Sequence, residues 1–135
     1  MSSPLFSQTA LIGFARPTTG NTASDGSGTL DTLLSATTLI RVDQILVRNS
    51  QTTAALSTAL LVRVFLTDTA GSNPRLLDEV AVAASTRSTS AVGSAASITF
   101  PGGLLIASGQ IIKVCQSVFN AASQLDIIAK AYTVA

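Results

Sequence analysis

Leu39–Thr67, LIRVDQILVRNSQTTAALSTALLVRVFLT, decides the fold. Two runs rich in Val, Leu and Ile flank the polar break Asn49-Ser50-Gln51-Thr52-Thr53, whose residues are turn formers. In Leu60–Leu66 one parity is Leu60, Val62, Val64 and Leu66, and the other is Leu61, Arg63 and Phe65. Successive side chains of a strand point to opposite faces, so this run has one wholly apolar face and one interrupted by a charge. Leu39–Val47 alternates less cleanly, because Gln44 and Leu46 sit where strict alternation would reverse them. The two runs are expected to be neighbouring antiparallel strands at the centre of a β fold. The expected core is Leu60, Val62, Val64 and Leu66 with Ile112, Val114 and Ile127. Arg63 then faces solvent or pairs with a carboxylate, Asp43 or Asp126, because an unpaired buried charge is very costly.

Toward the N-terminus, Thr29–Ala36 (TLDTLLSA) reads as one helical turn or an irregular edge segment. Thr18–Gly28 (TTGNTASDGSG) is a polar loop without the Gly/Lys pattern of a phosphate loop, expected to be a mobile surface segment. Thr9–Arg16 (TALIGFAR) is a short strand ended by Pro17. Before it, Met1–Gln8 carries the apolar pair Leu5-Phe6 just after Pro4, which keeps the backbone extended. Termini are usually disordered unless tied down, so an apolar pair there implies an arm that docks, on a partner or on its own domain.

Toward the C-terminus, Asp68–Pro74 is a turn and Arg75–Val82 a strand. Ala83–Ser97 is a loop of small residues that leads into a strand at Ala95–Phe100. Pro101-Gly102-Gly103 is a strong turn signal, and Ser108-Gly109 marks another. Gln110–Val118 and Leu125–Val134 are strands, with a turn at Asn120–Ser123. Seven or eight strands with turns every 8–15 residues, and no helix of ten or more residues between them, imply an all-β, jelly-roll-like antiparallel β-sandwich. It is one domain, 9–135, preceded by an extended arm, 1–8; 135 residues suit a single core.

The composition excludes several functions. Eight Lys plus Arg balance seven Asp plus Glu, and the arginines are well spaced, so the clustered charge that binds nucleic acid is missing. No apolar stretch approaches the ~18 residues of a membrane span, and the opening lacks the basic n-region of a secretory signal. With no His, a serine or threonine nucleophile would need a Lys or carboxylate base, and Lys113 and Lys130 lie in no recognisable motif. Asp43 and Asp126 each have basic residues nearby and read as structural ion pairs. Cys115 is alone in an apolar run and reads as a buried, inert thiol. The chain is expected not to be an enzyme and to need no cofactor or metal. Only 11 % of residues are charged against about 25 % in average domains, with Ala, Ser and Thr in their place. Such a surface resists association weakly and suits burial in an oligomer.

From Leu39 onward, the pattern resembles that of small structural proteins of tailed bacteriophages. IRVDQILVRNS, a strand ending VRVFLTDTAG, a Leu-rich strand, Phe100-Pro101-Gly102-Gly103 with Leu104-Leu105-Ile106, and Ala107–Val114 carry the likeness across about two-thirds of the chain. The resemblance implies a virion role: a capsid decoration (cement) protein on a phage head, made in the host cytoplasm, with the major capsid protein as partner. It also implies a closed homo-oligomer, a trimer first, because capsid lattices offer three-fold positions. The alternative it leaves is a tail or fibre accessory protein with a carbohydrate- or host-binding role, disfavoured by the absence of Trp and the single Tyr. The candidate partner-binding residues are Leu5, Phe6, Leu11, Ile12 and Phe14, with Arg16 pairing to an acidic group at the rim. Leu11, Ile12 and Phe14 equally suit an ordinary first strand.

Overall fold

The computed structural model describes residues 9–50, 55–56, 59–88, 90–119 and 124–134. The expected arm at residues 1–8 and the expected turn at residues 120–123 lie outside them. Among the described residues ten strands form: β1 (Ala10–Ala15), β2 (Asp31–Ser35), β3 (Ile40–Asn49), β4 (Ala55–Leu56), β5 (Leu60–Leu66), β6 (Arg75–Val82), β7 (Ser85–Thr86), β8 (Ala95–Ile106), β9 (Ile111–Gln116) and β10 (Leu125–Thr133). Sheet A has the order β1-β10-β3-β8 and sheet B the order β2-β9-β5-β6, while the short β4 and β7 pair with each other.

With the two short strands set aside, the first long strand pairs with the eighth, the second with the seventh, the third with the sixth and the fourth with the fifth. This is one long hairpin wound into two four-stranded sheets, the jelly roll, and every pairing between named strands is antiparallel.

The inward faces meet as a single apolar core. β5 contributes Leu60, Val62 and Val64; β9 contributes Ile112 and Val114; β10 contributes Leu125 and Ile127, all buried. Each such side chain, fully buried, contributes about 1.5–3 kcal/mol. Leu66, expected in the core, is half-buried and packs against its margin.

The expectation that β3 and β5 are neighbours is corrected. β3 sits between β10 and β8, and β5 sits between β9 and β6 in the other sheet. Both bury an apolar face, and those faces meet across the core instead of side by side. The uneven alternation in β3 has a physical cause. Its register against both β10 and β8 shifts around Asp43, so the buried set changes parity from Ile40 and Val42 to Ile45 and Val47. One extra residue in a strand makes a β-bulge and flips the residues beyond it to the other face.

Of the two readings of Thr29–Ala36, the irregular edge segment is the one that holds: Asp31–Ser35 is an edge strand, β2, whose register slips between Thr32 and Leu34, with Leu33 and Leu34 both buried. One further expectation is corrected: Pro101-Gly102-Gly103 does not end a strand. β8 runs on through it, and Val42 pairs with Leu104 while Gln44 pairs with Thr99, so residues 100–103 bulge opposite Asp43. Gly102 and Gly103 take φ of 76° and 83°, values open to glycine at no steric cost.

Candidate functional site

The two sheets differ on their outer faces. On sheet B, residues 18–28 lie over the face that Arg63, Phe65 and Cys115 present. Asn21 organises this cover: its backbone N–H donates to Gln116 O (2.8 Å), its amide donates to Ser27 O (2.9 Å) and Thr29 O (3.0 Å), and its Oδ1 accepts Ala23 N–H (3.0 Å). Asn21 is itself buried. The loop expected to be mobile is therefore pinned to the sheet. On the same face Phe65 has no exposed surface, although its parity is opposite to the core set. Arg63 faces this side and pairs with Glu79 on the adjacent strand (3.1 Å), not with Asp43 or Asp126, and its guanidinium also donates to Thr22 O (3.4 Å). Burial pushes the Cys115 thiol above its ordinary pKa, so it is held as the neutral, unreactive form.

Sheet A has no such cover among the described residues. Its register places Phe14, Ile128, Leu46 and Ser97 in one row across β1, β10, β3 and β8. Phe14 is 69 % exposed and Ile12 56 %. The next row holds Ile12, Lys130, Gln44 and Thr99. β1 is the edge of this sheet. Gly13 lets it approach β2: a Cβ there would collide with the carbonyl oxygen of Leu33.

The six candidate residues separate. Leu11 turns inward, half-buried against the core; Ile12 and Phe14 turn outward. Arg16 does not stand free, because its Nε donates to Asp126 Oδ1 at 2.6 Å. The hydrogen bond from Arg16 holds the Asp126 carboxyl below its ordinary pKa. Leu5 and Phe6 lie outside the described residues. Asp43 pairs with Arg41 (2.9 Å), as the sequence implied.

Two shallow clefts meet at Arg16. One, of about 470 Å³, is lined by Phe14, Ala15, Arg16, Asp126, Ile127 and Ile128. The other, of about 280 Å³, lies between Arg16, Pro17, Thr18, Phe119 and Gln124. Ile128 and Phe119 carry no signal in the sequence that marks them for this site. Ile128 shares its residue step with the buried Ile127, and its outward direction is a matter of parity. Among the described residues no group of three or more His, Cys, Asp and Glu is placed to hold a metal ion, and no helix is long and apolar enough to cross a membrane.

No protein-family model matches the chain, and no curated protein matches it. In three dimensions it is similar to a chain of the T13 particle of infectious bursal disease virus, at 15 % identity and a TM-score of 0.42. That match covers 94 % of this chain, which spans about a third (31 %) of the viral one. It is similar to a chain of the cyanophage Pam1 capsid asymmetric unit, at 14 % identity and a TM-score of 0.42, with 98 % and 90 % of the two chains covered. It is also similar to Eiger TNF from S. frugiperda, at 11 % identity and a TM-score of 0.42, over 95 % of this chain and 93 % of that one. The jelly-roll assignment rests on the strand order, not on these likenesses.

What the site offers is contact surface. Its polar groups are committed to one another: Arg16 to Asp126 and Arg41 to Asp43, while the Arg48 Nη1 donates to the carbonyls of Val47 (3.0 Å) and Ala96 (3.3 Å). The Arg41 guanidinium also stands 5.4 Å from the centre of the Tyr132 ring, a cation–π contact. Between these pairs lies an apolar row with room for foreign side chains.

Proposed function

We propose that this chain is a capsid decoration (cement) protein, which binds the outer surface of a phage head and stabilises it by bridging neighbouring capsid subunits. It acts as a closed homotrimer at the virion surface, after synthesis in the host cytoplasm, and its partner is the major capsid protein. The mechanism is burial of area without bond chemistry. A stable interface removes about 1,200–2,000 Å² from water, and a few apolar anchors carry most of its energy. The observation that supports this reading most is the exposure of Ile12 and Phe14 on an edge strand without charge, directly after the apolar Leu5-Phe6 of the preceding segment. Residues 1–8 are then an extended arm on the domain 9–135, with Leu5 and Phe6 as its anchors on the capsid. Arg16, tied to Asp126, fixes the far end of β1.

The test is co-sedimentation of the purified protein with phage heads that lack their own copy. Full-length protein is expected to pellet with the heads and to raise the temperature at which they release DNA. A chain without residues 1–8 is expected to keep its β circular dichroism and to stay in the supernatant. Unchanged binding of the shortened chain removes the arm from the mechanism. Full-length protein that ignores heads and is found only on tails removes the decoration reading.

A further inference from the structure

All seven side-chain carboxylates lie among the described residues, and each can be followed to its place. Three form ion pairs, Asp126 with Arg16, Asp43 with Arg41 and Glu79 with Arg63. Asp25 and Asp68 are held in their own turns, the first by Ser27, the second by Ala70, Ser72 and Asn73. Asp78 accepts the Glu79 N–H, and Asp31 stands on β2 at an edge of sheet B. Arg48 and Arg87 are left without a side-chain carboxylate of this chain. Both line one open cleft of about 430 Å³, between the end of β3 and the residues that lead into β8, and no acid lines it with them.

The walls of this cleft are fixed. Asn49 is buried and its N–H donates to Ser94 O (3.0 Å), while the Ser94 N–H donates to Ser85 Oγ (2.9 Å) and the Ser94 hydroxyl to Ala83 O. Gly93 rests so closely on Asn49 that a Cβ there would stand 3.0 Å from its Cβ and from its carbonyl oxygen. Arg48 is anchored by Nη1 on the carbonyls of Val47 (3.0 Å) and Ala96 (3.3 Å), which turns its guanidinium toward β8. The carboxylate of its register partner on β10, Asp126, is held by Arg16. Arg87 is exposed, and its guanidinium meets no acceptor among the described residues.

From this we infer that the cleft binds the carboxylates of an acidic protein segment, with Arg48 and Arg87 as its two cations. A guanidinium carries only donors, in a planar fork that matches a carboxylate, and a charged pair of this kind makes the stronger sort of hydrogen bond. Val92, 91 % exposed on the same cleft, gives an apolar contact to the residue beside the acid. A nucleic-acid strand fits less well. It needs cations at successive phosphates and rings on which bases stack. No aromatic residue lines the cleft, and the cations Arg75 and Lys113 stand on strands of the other sheet.

The experiment titrates the isotope-labelled full chain by NMR at low ionic strength, where charge contacts are least screened. The probe is the peptide acetyl-GVEEVG-amide, set against acetyl-GVQQVG-amide, which has the same shape and no charge. The acidic peptide is expected to shift the amides of Gly93 and Ser94 and the Nε–H signals of Arg48 and Arg87, with a Kd of about 1 mM, and the neutral one to bind about tenfold more weakly. Arg48→Gln and Arg87→Gln are each expected to weaken the acidic peptide by about threefold, as exposed ion pairs do. Arg75→Gln, at an exposed arginine outside the cleft, is expected to change nothing. Arg87 bonds no other group of the chain, so its variant keeps the fold and carries the test if Arg48→Gln disturbs β3. Peptides that bind alike, shifts that follow every cation on the surface, or cleft variants without effect each overturn the inference. Inorganic phosphate that binds as tightly as the peptide at the same signals overturns it in favour of a bare anion site, and a short oligothymidylate that does so overturns it in favour of nucleic acid. No phage head enters the test, so failure of the decoration reading leaves this result standing.

Discussion

Gln116 is the residue at which the core departs most from apolar packing. It follows Ile112 and Val114 on the inward parity of β9, has no exposed surface, and neither atom of its amide meets a hydrogen-bond partner among the described residues. A buried polar group left unpaired costs about 1–3 kcal/mol. Gln116→Met keeps the length and removes that cost, so it is expected to stabilise the protein by about 1 kcal/mol and to raise Tm by roughly 3–5 °C. A calorimetric scan in which Tm falls would show that the amide is satisfied in solution. Gly13 is the opposite case. Its missing side chain is what lets β1 lie over Leu33 O, and Gly13→Ala is expected to cost about 1–3 kcal/mol, read as a lower urea midpoint.

At the scale of the element, the segment 18–28 behaves as part of sheet B. The Asn21 side chain satisfies three polar groups at once, the carbonyls of Ser27 and Thr29 and the N–H of Ala23, which no apolar side chain reproduces. Asn21→Ala is expected to release the segment and to open Cys115 to solvent. The rate of labelling by a thiol reagent reports it: wild type should be nearly inert, and the variant faster by tenfold or more. A wild type that labels at the rate of a free thiol would contradict the cover. The turn between β5 and β6 is built by a carboxylate in the same way. Asp68 accepts from the backbone of Ala70 (3.0 Å) and Ser72 (2.8 Å) and from the Asn73 amide (2.8 Å), while Asn73 sits at φ 53°, a value asparagine tolerates.

These carboxylates set the response of the whole molecule to acid. The hydrogen bonds from Ser72 and Asn73 depress the Asp68 pKa, those from Ser27 depress Asp25, and that from Arg16 depresses Asp126. Their folded values lie below the ordinary value of about 3.9, so below that pH the unfolded chain binds more protons. Their contribution is complete above the unfolded value and is lost as pH falls through the folded ones. Tm is expected to be level near neutrality and to fall between about pH 4 and pH 2. The double variant Asp68→Asn, Asp126→Asn should start lower and fall less; an identical slope would place the acid response elsewhere. The winding of the chain sets the folding rate. β1 pairs with β10, so Ala10 meets Tyr132, and only β5 with β6 joins long strands adjacent in sequence. Such non-local pairing puts folding in the millisecond-to-second range, readable by stopped-flow.

The sequence by itself determined the class of fold and much of the core. Alternation in Leu60–Leu66, Gln110–Val118 and Leu125–Val134 marks strands because apolar side chains on one parity have a single face to bury. It also marked Asp43 as an ion-pair residue and Cys115 as a buried thiol. Only the tertiary structure decided which strand stands beside which. Alternation records that a face is buried and not what buries it, so β3 and β5 look like neighbours when they are opposed across the core. It decided that Pro101-Gly102-Gly103 is a bulge, because positive φ serves a bulge and a turn alike. It decided that Leu33 and Leu34 are both buried, through a register slip that helical spacing imitates. The site divides along the same line. Ile12 and Phe14 were legible as candidate contact residues that equally suited an ordinary first strand, but their exposure depends on the outward face of sheet A, and Arg16 is bound by a carboxylate 110 residues away. Ile128 and Leu46 join them only through register, a property of paired strands that no single stretch of chain contains.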